Sequence, residues 1–250
     1  MTTVILLGYG NVGQQIYRVM QASKSISIVQ VYNRSHIETL STAQTQNISE
    51  LKKADVYIIA VPDDAIQSLS EQLTVSNSLV VHTSGGVAMG VLSSNNRKGV
   101  FYPLQTFSET REVDFKKVPI CIEATTKTDI ALLQKLGEAL SKNVVEISSE
   151  KRSALHLAAV FVNNFTNHLY AMASEISEAK NIDFSLLKPL IEETAAKIET
   201  LAPKEAQTGP ALRNDTSTIK SHLKLLKDLN QKELYKQLTN SIKKYHNTKT

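Results

Sequence analysis

The feature that most constrains this chain is a β-rich run, Val4-Ile-Leu-Leu7, that passes without a break into Gly8-Tyr9-Gly10-Asn11-Val12-Gly13 and then into a helix-forming segment. A bare G-x-G-x-x-G pattern says little, but set between a strand and a helix it reads as the opening turn of a βαβ dinucleotide-binding unit. Each glycine has its own reason there: Gly8 allows the tight bend, Gly10 lets backbone approach a pyrophosphate, and Gly13 lets helix and strand pack closely. The helix that follows aims free N–H groups and the positive end of its dipole at the phosphates. Tyr9, Asn11 and Val12 lie between the glycines and join them as cofactor-binding candidates.

From Val4 to Ile147 short β-branched runs alternate with helical patterns, which predicts a Rossmann-type, doubly wound, mainly parallel α/β sheet. Strands are predicted over Val4–Leu7, Ile26–Tyr32, Val56–Ala60, Leu79–His82, Gly99–Phe101, Pro119–Ile122 and Val144–Ile147, with helices near Val12–Gln21, Asp64–Leu73 and Thr128–Ser141. From Ser149 onward no strand alternation survives, and helices are predicted at Ser153–Lys180, Phe184–Leu201, Thr216–Asn230 and Gln231–Tyr245, with a break at Ala206–Pro210. The expectation is a dinucleotide-binding domain over 1–148 and an all-helical domain for substrate and dimerisation over 149–250.

The end of the second strand decides between NAD and NADP. An NAD site places an acid on the ribose hydroxyl about 20 residues after the glycines; here the sequence reads Tyr32-Asn33-Arg34-Ser35. With no carboxylate to repel a 2′-phosphate, Arg34 offers a planar, permanently charged partner, and Asn33 and Ser35 add hydrogen bonds. NADP(H) is the cofactor expected. After the strand ending at Ala60, Val61 and Pro62 are expected to touch the ribose or nicotinamide, while Asp63 or Asp64 is read as the cap of the next helix.

Composition narrows the partners. At 250 residues and 42% hydrophobic the chain can bury the cores of two modest domains. A single cysteine, Cys121, forms no internal disulfide and reads as a core residue; with no leader-like opening segment, a cytoplasmic location is expected. No apolar run approaches the roughly 20 residues that span a bilayer, so no membrane association is expected. The net charge of +4 is spread among interleaved acids, without the aromatic-studded basic cluster of a single-strand groove, so nucleic acid is not an expected partner. No His, Cys, Asp or Glu cluster has metal-ligand spacing, and no metal is expected.

With Gly8–Gly13, Asn33-Arg34-Ser35 and Ala60-Val61-Pro62 together, the N-terminal half resembles the pyrroline-5-carboxylate reductase and 6-phosphogluconate dehydrogenase-like superfamily. Four further segments make nearly the whole chain resemble the Rossmann-like proteins with a DUF2520 C-terminal domain: His82-Thr-Ser-Gly-Gly86, Phe101-Tyr-Pro-Leu-Gln-Thr-Phe107, His156 through Phe165, and Gln207-Thr-Gly-Pro-Ala-Leu-Arg-Asn-Asp215. The resemblance implies an NADP-dependent reductase of a small carbonyl substrate such as a 2-oxo acid, similar to ketopantoate reductase. It leaves open an imine reductase of the pyrroline-5-carboxylate type, or a non-catalytic NADP(H) sensor. It also implies a homodimer through the helical domain.

Several residues are candidates for the chemistry. Ser84 and His82, at the end of the predicted strand Leu79–His82, read either as hydrogen-bond partners of a carbonyl or nicotinamide amide, or as a turn former and a satisfied core histidine. His156, Asn163 and Asn167 fall along one stripe of an α-helix, with Asn164 close by. The related hydroxyacid dehydrogenases place a Lys and an Asn one turn apart here, but the positions before Asn163 and Asn164 are Ala159 and Val160. His156 is the expected replacement for that proton donor, an imidazole's ordinary pKa being about 6.5. Arg213 reads either as a clamp for a substrate carboxylate or as a structural ion pair. Asp215 or Thr216 would cap the following helix.

Overall fold

The computed structural model describes residues 1–108 and 111–247 of the chain. By compactness the chain separates into two units, Met1–Asn163 and Asn164–Thr250.

The first unit is built on eight strands: β1 (Thr2–Leu7), β2 (Ile26–Tyr32), β3 (Gln44–Thr45), β4 (Val56–Ile59), β5 (Leu79–His82), β6 (Arg97–Pro103), β7 (Ile120–Ala124) and β8 (Val144–Glu146). They pair in the order β3-β2-β1-β4-β5-β6-β7-β8. Every pairing is parallel except β6 with β7. Strand β1 shows why an alternating pattern was absent from the sequence. Val4 and Leu6 enter a core shared with Ile16 and Met20, while Ile5 and Leu7 enter a second core with Ile66 and Leu69. A strand covered on both faces must be apolar at every position. The helices that supply this cover are α1 (Asn11–Gln21) and α3 (Lys127–Glu138) on one face and α2 (Ile66–Gln72) on the other.

The strand order carries the functional consequence. The chain runs from β1 outward to β2 and β3, then returns to place β4 on the opposite side of β1. A reversal of this kind opens a crevice at the carboxyl ends of the two central strands, where ligands of doubly wound sheets bind.

After β8 come α4 (Ser149–Ala159), a π turn over Val160–Phe165, and α5 (Thr166–Glu178). The second unit holds α5, α6 (Lys188–Lys197), α7 (Pro203–Ala206), α8 (Thr216–Leu225) and α9 (Leu229–Asn247). The predicted boundary of the last two helices moves by a few residues. Asp228 accepts the Gln231 N–H at 2.8 Å and so starts α9 ahead of Asn230. Asp215, as expected, caps α8 by accepting the Thr218 N–H at 3.0 Å.

Candidate active site

Three loops meet at the carboxyl edge of the sheet, after β1, β4 and β5. The first is the glycine turn. Gly8 has φ +104°, and a Cβ there would sit 2.5 Å from the Ala60 carbonyl oxygen, so neither its conformation nor its surroundings admit another residue. A Cβ on Gly13 would come 2.5 Å from the Gly8 carbonyl oxygen. Gly10 is the opposite case, since a Cβ on it would meet nothing within 4 Å. Gly10 is also the N-cap of α1, which has no side-chain cap and no acid in its first turn. The first-turn N–H groups of Asn11, Val12 and Gly13 therefore face a space kept clear by Gly10, which fits an anionic pyrophosphate. Tyr9 is half-buried beside this turn and packs edge-on against Tyr17, with ring centroids 5.5 Å apart.

At the end of β2 the Asn33 amide donates to the Ser35 carbonyl at 3.0 Å, which shapes the turn. Arg34 and Ser35 are exposed there, and no ion pair of Arg34 is found among the described residues. After β4, Val61 packs against Gly8 and Pro62 is exposed. Neither acid that follows caps α2: its N-cap is Ala65, with no side-chain bond. Asp63 instead turns its carboxylate toward Gly86, whose Cβ would lie 3.8 Å from Asp63 Oδ2.

The loop after β5 is more deeply set than the sequence suggests. His82 is fully buried, and its Nδ1 accepts the Ser84 N–H at 3.2 Å, which puts the ring proton on Nε2. That buried Nε2 has no hydrogen-bond partner of good geometry among the described residues. Burial first, then the nearby Arg152 guanidinium, hold the imidazole pKa down to about 4, against the pull of Asp63. His82 is thus a neutral core residue closed to solvent. Ser84 is buried as well, and its Oγ accepts the N–H groups of Gly86 at 3.2 Å and Val87 at 3.1 Å, forming the turn.

The group that does face this turn is a pair the sequence did not join. Tyr102, from β6, and His156, from α4, approach with the phenol oxygen 3.3 Å from Nδ1 and the rings edge to face. A Cβ on Gly85 would lie 2.7 Å from both His156 Nδ1 and Tyr102 Cζ, so this glycine is what lets the two rings close over the turn. Burial raises the phenol pKa, the Cys121 thiol and Asp63 adding to it and Arg152 opposing.

Beneath the pair lies a buried ionic network. Arg152, without solvent exposure, is bonded to Glu123 and to the Val87 carbonyl, and donates to Ser149 Oγ at 3.2 Å. Glu123 also accepts the Ser149 N–H at 2.9 Å and its hydroxyl at 2.7 Å. Arg152 and Glu123 escaped the sequence reading because isolated charges usually mark a solvated face. Tyr102 lay within a quoted segment, but nothing local distinguished it.

The π turn breaks the α-helical stripe: its wider turn rotates later residues by about 100° relative to an unbroken α-helix, so the spacing from His156 to Asn163 and Asn167 no longer puts them on one face. Asn163 is half-buried, Asn164 and Asn167 are exposed. Arg213, in the second unit, is exposed between Gly209, at φ +106°, and the Asp215 cap. No cluster of His, Cys, Asp and Glu suited to a metal ion occurs among the described residues, and no described helix is long and apolar enough to cross a membrane.

Comparison with known proteins gives the chain a family and a set of structural relatives. The profile described as NADP oxidoreductase, coenzyme F420-dependent, matches residues 3–86, and the DUF2520 profile, a domain of unknown function, matches residues 118–242. A provisionally named NADP oxidoreductase from Bacteroides fragilis is 39% identical, with 97% of this chain and 98% of that one covered and a TM-score of 0.88. A pyrroline carboxylate reductase of Plasmodium falciparum, solved with NADP bound, is 13% identical over 97% of this chain and 100% of that one, TM-score 0.63. An imine reductase of Myxococcus stipitatus in complex with NADP+ is 16% identical over 97% and 92%, TM-score 0.61. At those last two identities the likeness is one of fold. No curated protein matches the chain. The chain belongs to the DUF2520 family, its DUF2520 domain preceded by an NADP oxidoreductase domain.

Proposed function

We propose that the chain is an NADPH-dependent reductase of a small carbonyl substrate such as a 2-oxo acid, with His156 on the proton-delivery side of the reaction. The observation that carries this reading is the placement of the Tyr102–His156 pair at the end of β6, on the same carboxyl edge as the glycine cradle, within one compact unit. The bound cofactor supplies the hydride. The chain supplies the rest. Gly8 to Gly13 receive the pyrophosphate; Asn33, Arg34 and Ser35 receive the 2′-phosphate; Val61 and Pro62 line the way to the nicotinamide. Asn163, Asn164, Asn167 and Arg213 are kept as substrate-side candidates on the helical segments.

One feature of the site favours the imine alternative. The Asp63 carboxylate beside Gly86 would attract an iminium and repel a carboxylate. Both readings are tested together by following NADPH absorbance at 340 nm with ketopantoate, other 2-oxo acids and cyclic imines. Turnover of the oxo acids supports the first reading and turnover of imines alone the second; binding without any turnover would leave a sensor. In the same preparation NADPH is expected to bind at least tenfold more tightly than NADH. That is about 1.4 kcal/mol, within reach of one charge-assisted phosphate contact. Arg34→Ala should erase the preference, and equal affinities in the wild type would defeat the assignment of Arg34.

We also infer a homodimer. In the helical unit Leu186, Leu190, Ile198 and Leu229 are 72%, 62%, 56% and 77% exposed, an apolar load that a second copy would cover. Sedimentation at micromolar concentration is expected to give twice the 27.6 kDa chain mass. A monomer there would remove the inference.

A further inference from the structure

We infer that Gln15 is a positioning residue for the cofactor: it latches residues 104–108 to α1, where they wall one side of the space over the glycine turn. Helix α1 packs on the sheet through Ile16, Tyr17 and Met20, and Gln15 is buried like them, at 4% exposure. An amide in that position has to be satisfied by the protein. Its Nε2 donates to the carbonyls of Ser108 and Arg111, both at 3.4 Å, which commits its two N–H groups to a segment 93 and 96 residues further along the chain. Asn11, one helical turn earlier on α1, donates its Nδ2 to the Phe107 carbonyl, also at 3.4 Å. Phe107 stacks on Phe115, with ring centroids 5.9 Å apart, and packs against the same core as Tyr9 and Val12 of the glycine turn. At the other end Pro103 is held in β6 by its pairing with Ile120. Residues 104–108 thus run from the carboxyl end of β6 to the first turns of α1, fastened at both ends along the edge where the glycine cradle lies.

The latch bears on the cofactor because Asn11 serves both. Its main-chain N–H is one of the first-turn groups that face the space kept clear by Gly10, while its side chain holds the Phe107 carbonyl. A dinucleotide whose pyrophosphate sits on that turn therefore lies against a segment whose place is set by Asn11 and Gln15. Of the two, Gln15 is the anchor: it makes two of the three bonds and is itself closed to water, so it keeps the segment in place before the cofactor arrives. Ordering the segment beforehand shows in affinity. Where the binding-competent arrangement is populated only a fraction of the time, the dissociation constant rises by the inverse of that fraction. Only a dinucleotide on the glycine turn is required for this; turnover plays no part.

Gln15→Leu in the full chain removes both donors and keeps the buried volume. Ser108 and Arg111 are exposed, so their carbonyls can turn to water and the fold should hold. The variant is expected to bind NADPH and NADH each about tenfold more weakly, through faster release, as for a segment in place about a tenth of the time. By contrast 2′,5′-ADP, which carries the adenine and the 2′-phosphate but no pyrophosphate or nicotinamide, should bind variant and wild type within about twofold of each other. A second readout needs only the wild type. Trypsin cuts after Arg111 by attacking the carbonyl that Gln15 holds, so release of the fragment 1–111 reports the latch directly. NADPH is expected to slow that cut and 2′,5′-ADP to leave it unchanged; in Gln15→Leu the cut should be fast with or without NADPH. Equal NADPH dissociation constants in Gln15→Leu and wild type overturn the inference. Equal weakening of all three ligands marks a merely structural residue and overturns it as well. So does a wild-type cut that NADPH does not slow, a result obtained even from a variant too unstable to purify. A wild type that binds neither dinucleotide overturns the assignment of the glycine turn and the latch together.

Discussion

Glu123→Leu is expected to destabilise the N-terminal unit by about 3–5 kcal/mol, the usual cost of leaving one member of a buried ion pair without its partner. The side chain of Arg152 is 1% exposed and that of Glu123 17%, so the guanidinium cannot turn to water when the carboxylate is removed. The loss extends further than the pair. Glu123 also accepts from the backbone and the hydroxyl of Ser149, the first residue of α4, and so fastens β7 to the start of the helix that carries His156. Urea unfolding of the wild type, Glu123→Leu, and Glu123→Leu combined with Arg152→Met would measure this. The double variant removes the stranded charge and should recover much of the stability, since replacing both members with apolar groups is often neutral. A single variant within about 1 kcal/mol of wild type would mean that the network is not buried in solution as described.

Acid should weaken the fold through His82 by about 3 kcal/mol between pH 7 and pH 4. The sign follows from its pKa, which burial lowers from 6.5 to about 4 in the folded chain. Below about pH 6.5 the unfolded imidazole takes a proton that the folded one refuses, so the unfolded state gains on the folded state as the pH falls. The difference grows until the folded imidazole itself titrates near 4, and about 1.4 kcal/mol for each of roughly 2.5 pH units gives the size. Carboxylates titrate in the same window, so the contribution is isolated by comparison with His82→Asn, whose side-chain oxygen can still accept the Ser84 N–H. Urea midpoints measured from pH 7 to pH 4 should fall more steeply in the wild type. Parallel curves would show that His82 is reached by water, in conflict with its burial.

How much of this was legible in the chain depends on how far apart the interacting atoms lie along it. The turn at Gly8 to Gly13 could be read directly, because the steric need for glycine at φ +104° and at close backbone contacts is written in adjacent residues. The parallel strands were equally visible, since burial on both faces demands unbroken apolar runs such as Val4 to Leu7. The two-residue strand Gln44–Thr45 carries too little pattern to be seen, and the reversal between β6 and β7 leaves no mark on either strand. The π turn at Val160–Phe165 was invisible too, because it lies within a continuous helical stretch and differs from it only in hydrogen-bond register, which leaves no pattern in the residues. The sequence placed His156 on a helix and named it as an acid. It could not supply Tyr102, 54 residues away, or Glu123, 29 residues from Arg152. Local sterics and periodicity determined the cofactor cradle and the class of fold by themselves. The Tyr102–His156 pair and the ionic network beneath it exist only because the folded sheet carries distant side chains to one edge, where exclusion of water changes what each of them can do.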